Sequence, residues 1–244
     1  MARIKLTIEY DGTDYVGWQF QPNGISIQQR VEEALEKLLG EQVRVHSSGR
    51  TDAGVHALGM VCHLETAREL PLSAWREGLN RFLPADIAIC NAESVGEDFH
   101  ARFSAVGKCY RYRVLCSEVR SPLQQRTSWQ IRQKLDHVAV RQAADLLVGE
   151  HDFAAFRTSG CVAATTRRQI FSVKVSEEEN LLLIDVCGSG FLKNMVRMLV
   201  GTLIEVGRGR RPVTDVSALL SGCSSVAPAL TAPPQGLCLM AVYY

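Results

Sequence analysis

The hydrophobic period of this chain switches repeatedly between two and about 3.6 residues without a strict alternation of strand and helix, and that ordering constrains the fold more than any other feature. Ile4, Leu6, Ile8 and Tyr10 alternate with Arg3, Lys5, Thr7 and Glu9, the pattern of a strand with one buried face, and Asp11-Gly12 ends it. Ser26 and Gln29 have the spacing of a capping box, after which Ile27, Val31, Ala34, Leu35, Leu38 and Leu39 recur at helical spacing until Gly40. Val43 and Val45 predict a strand running into Ser47-Ser48-Gly49, and Ala57 to Leu64 a further strand after the Gly54 turn.

The same reading predicts a helix over 73–82, strands over 87–95 and 108–115, and a helix over 138–148. The segment Leu147-Val148-Gly149-Glu150 echoes Leu38-Leu39-Gly40-Glu41, so the chain reads as two similar halves, 1–105 and 106–244. Strands over 168–175 and 181–187, helices over 191–206 and 213–220, and a last strand over 237–243 complete the pattern. Neighbouring strands separated by tight turns imply antiparallel pairing rather than a doubly wound parallel sheet. The expected fold class is α+β: two α/β halves with mixed, mainly antiparallel sheets joined around a central cleft, with helices on the outer faces.

With 244 residues, 46% hydrophobic and 22% charged, the chain can bury a core without a covalent staple. No segment reaches the roughly 18 apolar residues of a membrane span, and the amino terminus lacks the apolar run of a signal peptide, so the expected location is cytoplasmic. The eight cysteines stand singly, and we expect all of them to be small, reduced core residues. The net charge of +1 gives no global argument for a polyanionic partner. Locally, Phe99 to Lys134 holds eight basic residues against the single acid Glu118; the stretch is either a positive surface or a face paired with acids from elsewhere.

Ser48-Gly49-Arg50-Thr51-Asp52-Ala53-Gly54-Val55-His56 sets a cation and a carboxylate two positions apart between two glycines, in a loop bounded by strand-like segments. Such a loop presents side chains, and a small Ala53 leaves room for a substrate beside Asp52, although residue types alone favour a plain turn. Arg197 lies in Phe191 to Ile204, a stretch apolar on nearly every side, so its guanidinium is expected to be at least partly buried. A buried cation requires an anion, and Asp52 is a candidate; snorkelling or another acid is the alternative. Such a pair would keep Asp52 ionised, suited to a nucleophile or base and not to a strong proton donor.

In Lys108-Cys109-Tyr110-Arg111-Tyr112-Arg113, period two sets both tyrosines on one face and both arginines on the other, a combination suited to stacking on bases and binding phosphate. Spacing does not say which tyrosine belongs to the core. Gly188-Ser189-Gly190 follows a strand, but Lys193 replaces the third glycine of a dinucleotide fingerprint, and neither a phosphate loop nor a zinc signature occurs. No metal and no nucleotide cofactor are expected.

Gly49-Arg50-Thr51-Asp52-Ala53-Gly54-Val55-His56 resembles the signature of the tRNA pseudouridine synthases that modify the anticodon stem-loop. The resemblance continues in order through Glu9 to Gly12, Gly17 to Gln19, Asp98 to Ser104, Tyr110 to Tyr112 and Phe191 to Arg197. It implies cofactor-free isomerisation of uridine to pseudouridine at tRNA positions 38, 39 and 40 by a homodimer. Asp52 matches the essential aspartate, Tyr110 the tyrosine packing on the target base, Arg50 the arginine that helps displace the nucleotide, and Arg197 the arginine pairing with the aspartate. Leu237 resembles the apolar residue beneath the site. Arg102, Arg111, Arg113, Arg167 and Arg168 are further candidates for contacts to the RNA backbone.

A base in a stem must leave the stack before its glycosidic bond is reached, at a cost of a few kcal/mol, and stacking on an aromatic ring returns roughly 1–3 kcal/mol of it. Asp52 then attacks C1′ or the base, or removes the 2′ proton; the residues do not choose among these routes, nor say whether Tyr110 takes the final C5 proton. A non-catalytic RNA-binding protein and a small-molecule enzyme are the two rival readings.

Overall fold

The computed structural model describes residues 2–158, 160, 163–223, 225–227 and 230–244. Backbone contacts divide the chain into two compact units, Met1–Val106 with Cys238–Tyr244, and Gly107–Leu237. The division falls beside the boundary expected near 105, but the last strand groups with the first unit.

In the first unit, β1 (Ala2–Tyr10) buries Ile4, Leu6, Ile8 and Tyr10, the face that the alternation predicts. Helix α1 (Ile27–Leu39) adds Ile27, Val31, Ala34, Leu35 and Leu39 to the core. Ser26 Oγ accepts from Gln29 N at its start and Gly40, at φ 75°, closes it. The Gln29 side chain donates to Glu33 Oε1 one turn on. Strands β2 (His46–Ser47), β3 (His56–Thr66) and β4 (Ile87–Val95) follow. β1 lies between β3 and β4, antiparallel to both, with Ile4 opposite Leu64 and Ser94. The strand expected from Val43 shrinks to the two residues of β2, which pair with Cys62 and His63 of β3. Within the helix predicted over 73–82, Ala74–Gly78 is a π-helical turn that buries Trp75.

The second unit begins with β5 (Gly107–Cys116) and β6 (Trp129–Ile131), a short strand that the sequence pattern did not reveal. Helix α2 (His137–Asp145), capped by Asp136, leads to β7 (Gly149–Asp152), β8 (Arg167–Glu178) and β9 (Leu181–Gly188). β5, β9, β8 and β7 pair in that order, all antiparallel, while β6 adds to β5 in parallel. Helix α3 (Met195–Gly207) is buried nearly all round, as its continuous hydrophobicity requires, and α4 (Thr214–Leu220) follows. The closing strand β10 (Leu237–Tyr243) sets Cys238 opposite His56 and Leu239 opposite Ala57 of β3, in parallel, which is why the chain end returns to the first unit. The fold is thus a mixed α/β one whose strands pair mostly antiparallel.

The expectation that every cysteine is a reduced core thiol is wrong on two counts. Cys109 and Cys187 stand directly opposite in the β5–β9 register and form a disulfide. Cys90 and Cys223 are exposed; only Cys62 and Cys238 are buried thiols, Cys116 is half-buried, and Cys161 lies outside the described residues. Isolated spacing along a chain carries no information on cross-strand register, which is what brings the pair together.

Candidate active site

Asp52 sits in the loop joining β2 to β3, between a buried Thr51 and an exposed Ala53. The loop leaves β2 with Ser48 N donating to Val61 O at 2.8 Å and Ser47 Oγ to Gly49 O at 2.9 Å. It re-enters β3 through a tight turn in which Val55 N donates to Asp52 O at 3.2 Å. The turn therefore closes through the backbone carbonyl of Asp52. Asp52 is half-buried and Arg50 exposed. His56, the first residue of β3, is buried, and its Nδ1 accepts from Gly12 N at 3.1 Å.

In the second unit the structure separates the two tyrosines of β5. Tyr112 is fully buried, donates to Pro233 O at 2.7 Å and meets Trp129 edge to face. Burial pushes its hydroxyl pKa up, beyond the reach of acid–base work near neutral pH. Tyr110 is only half-buried, with its ring edge-on to Phe191 at 5.2 Å. Tyr110 is therefore the more accessible of the pair, and Phe191, which had no separate role in the sequence reading, packs edge-on against its ring.

Arg197 projects from the first turn of α3 and is half-buried, as expected from its apolar surroundings. Its Nε donates to Ala232 O and its Nη1 to Asn194 Oδ1, both at 2.7 Å. Asn194 adopts the left-handed conformation at φ 60°, which ends the irregular run from Phe191 and delays the helix to Met195; its Nδ2 donates to Thr158 Oγ1. Asparagine tolerates that conformation better than most residues, a signal present in the sequence but not used. Leu237 is buried at the end of this unit.

The backbone-contact candidates differ among themselves. Arg111 makes a two-pronged pair with Asp185, at 2.7 and 2.8 Å, the residue opposite it in the β5–β9 register. Arg102 is exposed beside the exposed ring of Phe103. Arg113 is half-buried on β5, Arg167 is exposed 3.6 Å from Glu150, and Arg168 Nη1 donates to Thr165. A group that sequence reasoning missed entirely is His46, His63 and His100, whose rings lie 4.7–6.0 Å apart in the first unit. Nδ1 of His63 accepts from Ala101 N and Nδ1 of His100 from Arg102 N, so these imidazoles hold the 97–104 segment in place. Among the described residues no three His, Cys, Asp or Glu side chains are grouped to hold a metal ion.

The chain matches the family model described as tRNA pseudouridine synthase over residues 6–104 and 143–244. Among its relatives, "tRNA pseudouridine synthase A" of Syntrophotalea carbinolica is 60% identical over 244 residues, covering 100% of this chain and 97% of that protein. The protein of the same name from Geobacter sp. strain M21 is 56% identical, over 100% and 99% of the two chains. A solved structure, "Crystal Structure of a Cbf5-Nop10-Gar1 Complex", is 11% identical with a TM-score of 0.36, covering 96% of this chain and 57% of that one, too distant to bear on the site. On the family match and the full-length sequence identity, this chain belongs to the tRNA pseudouridine synthase family.

Proposed function

We propose that this protein isomerises uridine to pseudouridine in tRNA, at positions 38, 39 and 40 of the anticodon stem-loop, with Asp52 as nucleophile or base. The observation that carries the reading is the family match over both units together with the intact Gly49–His56 loop, which presents a partly exposed Asp52 on a fixed backbone turn. The roles are distributed by residue. Tyr110 stacks on the displaced uracil, Arg197 holds Asp52 ionised as its ion-pair partner, Arg50 helps expel the nucleotide from the stem, and Leu237 lies beneath the base. The reaction breaks the bond from C1′ to N1, turns the detached uracil, joins C1′ to C5, releases the C5 proton and leaves a proton on the freed N1. Atoms balance without a redox agent, metal or nucleotide cofactor.

Phosphate contacts fall to Arg102, Arg113, Arg167 and Arg168, and Arg111 contributes less because Asp185 already matches its charge. The reading includes a homodimer in the cytoplasm and the duplicated build of the two halves. Among the described residues no helix is long and apolar enough to cross a membrane. The test is to incubate the protein with unmodified tRNA and map pseudouridine by carbodiimide primer extension. Stops at positions 38 to 40 support the proposal, and their absence, with the RNA bound, reduces the protein to an RNA-binding one.

A further inference from the structure

The loop bearing Asp52 is gripped from one direction by the segment 10–18, to which the proposed reaction assigns nothing. On one side of Asp52, the Tyr10 hydroxyl and Thr51 Oγ1 are hydrogen-bonded at 2.9 Å in a buried setting, and Trp18 N donates to Thr51 O at 3.2 Å. On the other side, Gly54 N donates to Tyr15 O at 3.3 Å. Gly17 makes the approach possible: at φ 104° a side chain is strained, and a Cβ there would stand 2.6 Å from Thr51 O and 3.1 Å from Asp52 C. The grip is anchored to the helix behind it, because Gly17 O and Trp18 O accept from Ile27 N and Gln28 N at the start of α1. Tyr10 and Trp18 are nearly inaccessible, with rings 6.1 Å apart, so the clamp itself has little room to shift.

A short loop flanked by glycines is free to wander unless something fixes it, and displacing a reacting group by about 1 Å costs on the order of a hundredfold in rate. The geometry points to Tyr10 as a positioning residue for Asp52, acting through the Thr51 hydroxyl one residue away, with Gly17 and Trp18 as the backbone half of the same clamp. This rests on the proposed function and adds to it the source of the carboxylate's fixed aim.

The experiment is single-turnover isomerisation at saturating enzyme, with tRNA affinity measured separately, for Tyr10→Phe, Thr51→Val, Thr51→Ser and the Tyr10→Phe/Thr51→Val pair. Tyr10→Phe keeps the buried ring and removes only the hydroxyl. The expected result is a fall in the single-turnover rate of roughly tenfold to a hundredfold for Tyr10→Phe and Thr51→Val, with affinity for tRNA unchanged. Thr51→Ser, which keeps the hydroxyl, should restore most of the rate, and the double variant should be no slower than the slower single one. A wild-type rate in Tyr10→Phe, a loss confined to affinity, or a loss that Thr51→Ser shares would overturn the inference. An active Asp52→Asn would remove the proposed function itself, whereas an inactive Asp52→Asn beside a fully active Tyr10→Phe removes the clamp alone.

Discussion

Asn194 Oδ1 accepts a hydrogen bond from Arg197 Nη1 at 2.7 Å, three residues along the chain, and Ala232 O accepts from Nε of the same side chain at the same distance. Two acceptors at different edges fix the plane of a guanidinium, so its direction is set by the protein. A lysine has no such planar fork and cannot reproduce both bonds. Arg197→Lys is therefore expected to lose isomerisation by roughly a hundredfold, and Asn194→Ala by a smaller factor, with folding retained. Single-turnover rates alongside circular dichroism check this; an active Arg197→Lys variant counts against any need for the fixed guanidinium plane.

The two tyrosines of β5 should respond in opposite ways. Tyr112→Phe removes a hydroxyl bonded to Pro233 O and should cost about 1 kcal/mol, lowering the melting temperature by roughly 2–4 °C while leaving the rate intact. Tyr110→Ala should leave the melting temperature near that of the parent and cut activity tenfold or more through lost stacking, worth roughly 1–3 kcal/mol. Thermal melts and initial rates on the two variants decide the assignment.

Stability should fall in acid through His63. Burial, aided by the neighbouring His100 and His46, pushes its pKa down to about 4 in the folded protein. The unfolded chain binds the proton near pH 6.5, the folded one only near 4, so stability is constant above about 6.5, declines as pH drops toward 4 and then levels off. Protonation of Nδ1 would also displace the Ala101 N–H it accepts. Melting temperatures from pH 7.5 to 4 should show the decline, and His63→Asn, which cannot gain the charge, should flatten it.

Much of the fold was legible because its signals are local. The alternation of Ile4 through Tyr10 names the buried face of β1, and Ser26 and Gly40 mark the ends of α1 within a residue. What escaped depends on register between distant segments. Nothing near Arg111 announces Asp185, and nothing near Cys109 announces Cys187, since each pair meets only when β5 lies against β9. Of the candidate site, Asp52, Arg50 and Arg197 are proposed from motif and context, and the structure adds their exposure and, for Arg197, its hydrogen bonds. Spacing alone leaves Tyr110 and Tyr112 equivalent and only the resemblance names Tyr110, while burial separates them; the clamp of Tyr10 on Thr51 spans 41 positions that no periodicity links.

Binding of tRNA should weaken steeply with salt, because each phosphate neutralised releases counterions, and the slope of log affinity against log salt should approach about −0.9 per contact in the duplex stem. Replacing Arg167 and Arg168 together by glutamine should reduce that slope by about two, whereas Arg111→Gln should change it less because Asp185 holds that side chain. Filter binding from 50 to 300 mM salt, an ordinary range for such titrations, measures both slopes.

In the proposed reaction the Asp52 carboxylate performs the isomerisation. Tritium release from tRNA labelled at C5 of uridine reads the departure of the C5 proton directly, and comparing the wild-type protein with Asp52→Asn isolates the charge at nearly constant shape. Full release by the parent and none by Asp52→Asn, at similar tRNA affinity, is the predicted result. Comparable release by the two proteins would contradict the account.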